Sequence, residues 1–238
     1  MSANMICALN AYINFLAAAK IETYETVSRI LRLLVLALKN DVSIDLDEAD
    51  KDFVLKLVLS RLPSVFYQPE ENIIGSLESV ITDFFNFCDL KYGSRLNFAL
   101  NSSELDIFPE LRRIIRLKKL MLKFYKNPLM SVNPIVVDID GYRFMKSTEK
   151  RDVLFLSDEF EVFEFFGRNS IVLKKEGEGG YFIRLYFDPE IVALFKRGDT
   201  LRLKLKKYED FSNWSVAEVY EIFPLAFCGA YKRKGVLK

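Results

Sequence analysis

The sequence contains no histidine among its 238 residues. Histidine acid–base catalysis, serine–histidine triads and imidazole metal sites are therefore excluded within this chain. Glutamine is also nearly absent, since Gln68 is the only one, and 28% of the residues are charged. A low content of thermolabile amides together with many charges is typical of thermophile proteins. Strong charge of one sign is also missing, because the net charge is only +1. Any electrostatic function must therefore come from local patches.

Cysteine is scarce and widely spaced. Cys7, Cys88 and Cys228 form no CxxC pair, so neither a zinc site nor a disulfide framework is indicated. We therefore predict no cofactor and a reducing, cytoplasmic compartment. The N-terminus lacks the basic segment, apolar run and cleavage site of a signal peptide. The most apolar run, Leu33 to Leu38, is far shorter than the roughly 20 residues that span a bilayer, so we expect no membrane association.

The chain changes character near residue 130. Before this point apolar residues recur at helical spacing, and after it short β-branched and aromatic runs alternate with turn sequences. We predict an α+β protein, with an N-terminal all-helical domain (residues 1–130) followed by a small antiparallel β barrel or sandwich domain (residues 131–238). The hydrophobic content of 50% is sufficient to bury such cores.

Residues typical of helix ends indicate where several of these helices begin. Asp45 and Glu48 resemble a capping box that opens the third helix. Pro109 would interrupt a helix interior, so the last helix of the N-terminal half begins near it. In the β half, Asp188 caps a short helix that runs to Gly198.

The last helix of the N-terminal half, ELRRIIRLKKLMLKFYK (residues 110–126), carries seven basic residues and one acid. Five of the basic residues fall at i, i+4, i+7, i+11 and i+14 and share one stripe: Arg112, Arg116, Lys119, Lys123 and Lys126. Apolar residues cover most of the remaining surface, which favours a core helix with a solvated charged edge. The alternative is that the stripe binds an acidic protein surface or a phosphate backbone.

A second basic face is predicted on the strand at residues 200–207. Its outward positions are Arg202, Lys204 and Lys206, which alternate with inward leucines. Aromatic residues nearby would suit base stacking, so a nucleic-acid-binding module that uses this strand and the helix stripe is one functional hypothesis. An edge strand protected by lysines explains the same alternation.

A third pattern concerns Asp138 and Asp140, which form a D-x-D at a strand end. Their side chains would share one face, as the metal-binding carboxylates of nucleotidyl transfer must. However, Asp140 followed by Gly141 is also an ordinary hairpin turn, and no third carboxylate is placed by the pattern. A metal-dependent nucleic-acid enzyme is therefore a further alternative, whereas our leading expectation is a chain that is not an enzyme.

The leading expectation comes from the segment at residues 153–205. Its features are Val153, Phe155, Leu156 and Asp158 in one strand, then Phe163 and Gly167, then Lys174 and Lys175, then Asp188-Pro189 and a short helix ending Lys196-Arg197-Gly198. This arrangement resembles the small β domain of GINS proteins, and the order of a helical domain before a β domain is similar to the branch of that family whose β domain comes last.

The resemblance implies a non-enzymatic scaffold subunit of a DNA replication complex. It also implies a hetero-oligomer with other GINS chains, with the MCM helicase ring and a RecJ-like protein as neighbours, and with primase or polymerase as further contacts. Whether the chain also contacts DNA directly is left open by the sequence.

Overall fold

A computed structural model describes residues 4–18, 24–39, 44–66, 70–102, 106–126, 153–175, 180–208 and 211–225, apart from the side chains of Tyr24 and Lys126. The described residues fall into two compact units, one that ends at Arg116 and one that comprises Leu117–Leu225. The boundary predicted near residue 130 lies outside the described residues and stays a prediction. Over the described ranges, no helix combines the length and apolarity that crossing a bilayer requires.

The first unit is helical, as the apolar spacing predicts. Its helices are α1 (Met5–Ala18), α2 (Tyr24–Leu38), α3 (Lys51–Lys56), α4 (Leu62–Val65), α5 (Glu71–Tyr92), α6 (Leu96–Asn101) and the first part of α7 (Ile107–Lys126). The longest, α5, carries an apolar residue every three or four positions, and Ile74, Phe84 and Phe85 on this stripe are fully buried in the core. The helix ends where Gly93 adopts a φ of 72°, a left-handed conformation that favours glycine.

The capping box predicted at Asp45 and Glu48 is wrong. Asp45 precedes only a single 3-10 turn, and its side chain makes no capping hydrogen bond. The next α-helix begins later, because the side chain of Asp50 accepts a hydrogen bond of 2.8 Å from the backbone N–H of Phe53. Asp50 thereby supplies the acceptor that the unpaired amides of a first helical turn require.

The second unit contains an antiparallel sheet, and the α+β class is confirmed. Its strands are β1 (Val153–Phe166), β2 (Ser170–Lys174), β3 (Phe182–Tyr186), β4 (Thr200–Tyr208) and β5 (Ser215–Phe223), with the short helix α8 (Pro189–Val192) between β3 and β4. The strands are ordered β3-β2-β1-β4-β5. Gly167, with a φ of 67°, makes the tight turn from β1 to β2.

The long strand β1 is the centre of this sheet. Its first part pairs with β4 and its last part with β2, and the register shifts between Val162 and Glu164, as expected of a β-bulge. Cα atoms of the edge strands β3 and β5 approach within 8 Å of each other. The sheet therefore curls towards a small, partly open barrel. Its inner face is apolar, since Phe160 is 1% exposed and its register partner Leu201 is fully buried.

The short helix α8 begins as predicted, because the side chain of Asp188 accepts a hydrogen bond from the helix N-terminus. The prediction that it runs to Gly198 is wrong, since it ends at Val192. The chain instead turns back into the sheet. The fully buried side chain of Asp199 accepts a hydrogen bond of 2.7 Å from the backbone N–H of Lys196, and Gly198 adopts a φ of 87°.

Candidate interaction surfaces

The first two residues of the predicted basic stripe on α7 form ion pairs with glutamates of α5. Arg112 Nη1 lies 2.9 Å from Glu78 Oε2, and Arg116 Nη2 lies 3.0 Å from Glu71 Oε2. Both glutamates are more than half exposed, at 52% and 60%, so each pair contributes only about 0–1 kcal/mol to stability. The pairs nevertheless reduce the positive charge that this part of α7 presents to a phosphate backbone.

The other members of the stripe are Lys119, Lys123 and Lys126. Lys119 is partly buried, Lys123 is exposed, and the side chain of Lys126 lies outside the described part. Arg113 lies off the stripe and forms a 2.6 Å ion pair with Glu110, and these side chains are only 11% and 8% exposed. A nearly buried pair of this kind belongs to the packing of the helix rather than to a site that binds a solvent-borne ligand.

The predicted basic face of β4 is a ladder of alternating charge. Arg202 Nη1 lies 3.5 Å from Glu221 Oε2, and Lys204 Nζ donates a hydrogen bond of 2.8 Å to Glu218 Oε1. That hydrogen bond raises the pKa of Lys204 and lowers the pKa of Glu218. Lys206 lies opposite Ser215 on β5 and is partly buried. Two of the three predicted cations are therefore paired with carboxylates across the strand.

A different surface, which the sequence reasoning did not single out, lies on the outer side of β1, β2 and β3. We call it the aromatic face and define it by Phe163, Phe166, Phe182, Arg184 and Tyr186. The guanidinium carbon of Arg184 lies 3.8 Å from the centroid of the Phe166 ring, and the rings of Phe163 and Phe182 have centroids 5.1 Å apart. Phe166, Phe182 and Tyr186 are 54%, 58% and 42% exposed.

Two further cations border the aromatic face. Lys174 Nζ lies 6.0 Å and the guanidinium carbon of Arg197 lies 5.4 Å from the Phe163 ring centroid. Arg197 Nε also donates a hydrogen bond of 2.7 Å to the backbone oxygen of Phe163, which holds the guanidinium in place. The alternation of Phe182, Arg184 and Tyr186 along β3 is a sequence signal that could have revealed this face, since alternate strand residues share one side.

The first unit carries a second surface of exposed apolar residues, on α1 and α5. We call it the helical patch and define it by Phe15, Phe87 and Leu90. The rings of Phe15 and Phe87 have centroids 5.6 Å apart, and Lys91 Nζ lies 5.1 Å from the Phe87 centroid. Phe15 is 55% exposed and Leu90 is 89% exposed. Phe87 and Leu90 are three residues apart, so they share one side of α5.

The strongly shifted titratable groups of the first unit lie in its core. Burial raises the pKa of the Cys88 thiol to about 12 and that of the Tyr12 phenol to about 12. Both groups therefore stay protonated near neutral pH, which suits packing. Among the described residues, no cluster of histidine, cysteine, aspartate or glutamate could hold a metal ion. Asp138 and Asp140 lie outside the described residues, so their predicted metal-binding role stays a prediction.

Comparison with known proteins adds no relative to this picture. No family model, curated protein or solved structure matches the chain. The resemblance to GINS proteins therefore rests on the segment at residues 153–205 and on the order of the two halves of the chain, and the replication role stays a prediction.

Proposed function

We propose that this protein is a non-enzymatic scaffold subunit that binds other proteins within a cytoplasmic DNA replication complex of the GINS-like type. The observation that carries this proposal is the helical patch. Exposed apolar side chains that cluster on one surface mark sites of protein association more often than scattered ones do. Aromatic residues are also enriched at the centres of such interfaces.

The geometry of the helical patch supports a docking role. The buried Tyr12, which is only 6% exposed, packs beneath the helical patch, with its ring centroid 5.1 Å from that of Phe87. Leu90 is 89% exposed and thus leaves nearly all of its apolar surface in water. Burial of one such side chain under a partner contributes about 1.5–3 kcal/mol. The helical patch therefore offers a second protein exposed apolar side chains that pack on a buried aromatic ring.

The ion pairs of α7 and β4 also support a scaffold over a binder of DNA backbone at those positions. Arg112, Arg116, Arg202 and Lys204 each contact a carboxylate of a neighbouring element. A phosphate backbone that approached these side chains would meet the glutamates as well as the cations. The release of counterions that drives DNA binding would be correspondingly smaller.

The identity of the partners rests on the resemblance of residues 153–205 to the GINS β domain. On this basis the assembly is a hetero-oligomer that contains other GINS-like chains, with the MCM helicase and a RecJ-like protein beside it. The helical patch is the surface that we assign to a partner subunit.

The proposal is tested by native mass spectrometry of the tagged chain purified from its own cells. We expect a stable hetero-oligomer that contains subunits of the replicative helicase. Leu90→Lys should weaken reconstitution of that oligomer at least about tenfold, because it removes apolar contact and adds a charge. Ser79→Lys, which adds the same charge three turns earlier on α5, serves as the control. A monomeric native mass, or equal losses in both variants, would refute the scaffold role.

A further inference from the structure

The aromatic face differs from the other charged surfaces in the partners of its cations. On α7 and β4 the described arginines and Lys204 contact glutamates. On the aromatic face Arg184 lies over the Phe166 ring, and within the described ranges it forms no ion pair. Lys174 likewise lies near the Phe163 ring. These cations keep their charge available to an anion while the rings orient them.

The arrangement of the rings adds a second feature. In β3, Phe182 and Tyr186 are four residues apart, which is about 13 Å along an extended strand. Tyr186 lies opposite Ser170, which in turn lies opposite Phe166, so rings occupy both outer strands of the face. Successive stacked nucleotides of one strand lie about 3.4 Å apart. The face is therefore long enough to receive the bases of several nucleotides.

We propose that the aromatic face binds single-stranded nucleic acid, with unpaired bases stacked on its rings and phosphates held by the cations between them. Every base has a π face, so stacking of this kind tolerates any sequence. Guanidinium groups strengthen it, because they both stack and attract the phosphate. This binding site goes beyond the scaffold role, since it lies on the second unit and uses none of the helical patch.

The local charge favours this ligand over an apolar protein surface. Three cations lie on or beside the face, namely Lys174, Arg184 and Arg197, against the two carboxylates Glu161 and Glu164 on β1. A neutral partner that covered the rings would also desolvate the cations without neutralising them, which is unfavourable. A duplex would offer phosphates only, because its bases are already stacked on each other. A single strand matches both the rings and the charge.

Fluorescence anisotropy of the full chain with fluorescein-labelled oligonucleotides tests the proposal. The probes are a mixed-sequence DNA strand, the RNA strand of the same sequence and the DNA duplex. We expect the single strands to bind more tightly than the duplex, and the ratio of DNA to RNA affinity identifies the natural class. If three phosphates are neutralised, the slope of log affinity against log salt should be about −2, from about −0.7 for each contact with a single strand.

Variants separate stacking from charge. Phe166→Ala and Phe182→Ala should each weaken single-strand binding about 5- to 140-fold, the range expected for one stacked base. Arg184→Gln should flatten the salt slope by about 0.7, whereas Arg184→Lys should restore the slope and only part of the affinity. Phe155→Ala is the matched control. That ring is 59% exposed and lies 5.2 Å from Lys204 Nζ, but Lys204 is already paired with Glu218. We expect Phe155→Ala to bind single strands with unchanged affinity.

Three results would overturn the proposal. The first is no binding of either single strand at low salt, and the second is equal binding of duplex and single strand. The third is displacement of the strand by polyglutamate with no effect of Phe166→Ala, which would indicate an acidic protein ligand that recognises charge alone. Thermal melts of each variant verify that the fold is retained, since all the substituted side chains lie at the surface.

Discussion

Replacement of Phe160 by alanine should lower the free energy of unfolding of the second unit far more than the same replacement at Phe155. Both residues are phenylalanines of β1, and they lie five positions apart before the bulge, so their side chains point to opposite faces of the sheet. Phe160 is 1% exposed, whereas Phe155 is 59% exposed. The pair therefore compares one chemical change on the inner and outer side of one strand.

The magnitude follows from burial. Truncation of a buried phenylalanine to alanine removes apolar contact and leaves a cavity, which costs about 3–5 kcal/mol. The register partner of Phe160 on β4, Leu201, is fully buried, so little room exists for the surrounding chain to collapse. At the surface, Phe155→Ala should change the free energy of unfolding by only about 0.5 kcal/mol.

Trp214 makes the measurement specific. It is the only tryptophan of the chain, and it lies in the second unit immediately before β5. Its fluorescence during urea unfolding therefore reports on that unit. With a dependence on urea of about 2 kcal/mol per molar, Phe160→Ala should lower the midpoint by about 1.5–2.5 M, and Phe155→Ala by about 0.3 M or less.

Equal shifts for the two variants would refute the reasoning, because they would mean that the sheet does not bury one face. A change in the urea dependence of Phe160→Ala without a shift of the midpoint would also contradict it. That result would indicate altered compactness of the unfolded chain rather than a lost core contact.

Three further predictions concern the first unit. Asp89 accepts hydrogen bonds of 2.9 and 3.1 Å from two backbone amides of α6. Asp89→Ala should therefore lower the free energy of unfolding by about 2 kcal/mol and speed the hydrogen exchange of these two amides. Unchanged exchange would contradict this role of Asp89. Burial raises the pKa of Cys88 from 9.0 to about 12, so the thiol ionises in the unfolded chain well before it does in the native one. The free energy of unfolding should therefore fall as the pH rises from about 9 towards 12, and Cys88→Ala should reduce this fall. In a Cys228→Ser background, iodoacetamide should modify the exposed Cys7 in the native protein and Cys88 only after unfolding.

Most elements could be predicted because their signals are local. The apolar stripe of α5, the glycine at its end and the alternating leucines of β4 act over a few residues, and the structure bears them out. The errors were at element ends. Asp45 and Asp50 both have the chemistry of a helix cap, and only the backbone conformation decided that Asp50 accepts the hydrogen bond. Boundaries depend on such competition between neighbours.

The candidate surfaces were less predictable. The sequence identified Arg112, Arg116 and the cations of β4 as prominent, because their spacing places them on one face of an element. It did not show that Glu78, 34 residues from Arg112, lies close enough to pair with it. The alternation of Phe182, Arg184 and Tyr186 in β3 shows that they share one side of the strand, but not that Phe166 of β1 lies under the Arg184 guanidinium.

The sequence alone determined the α+β class, the order of helices before strands, and which side of each long element is apolar. These properties depend on whether apolar residues recur with a period of 3.6 or of 2 residues, and this period can be read from each segment of the sequence separately. Only the tertiary structure decided which cations contact carboxylates and which contact exposed rings. Those partners lie on different elements, and the packing of the helices and the register of β1, β2 and β3 bring them within a few ångströms. The electrostatic character of a surface is therefore a property of the folded chain, because charges interact through distances that sequence spacing does not contain.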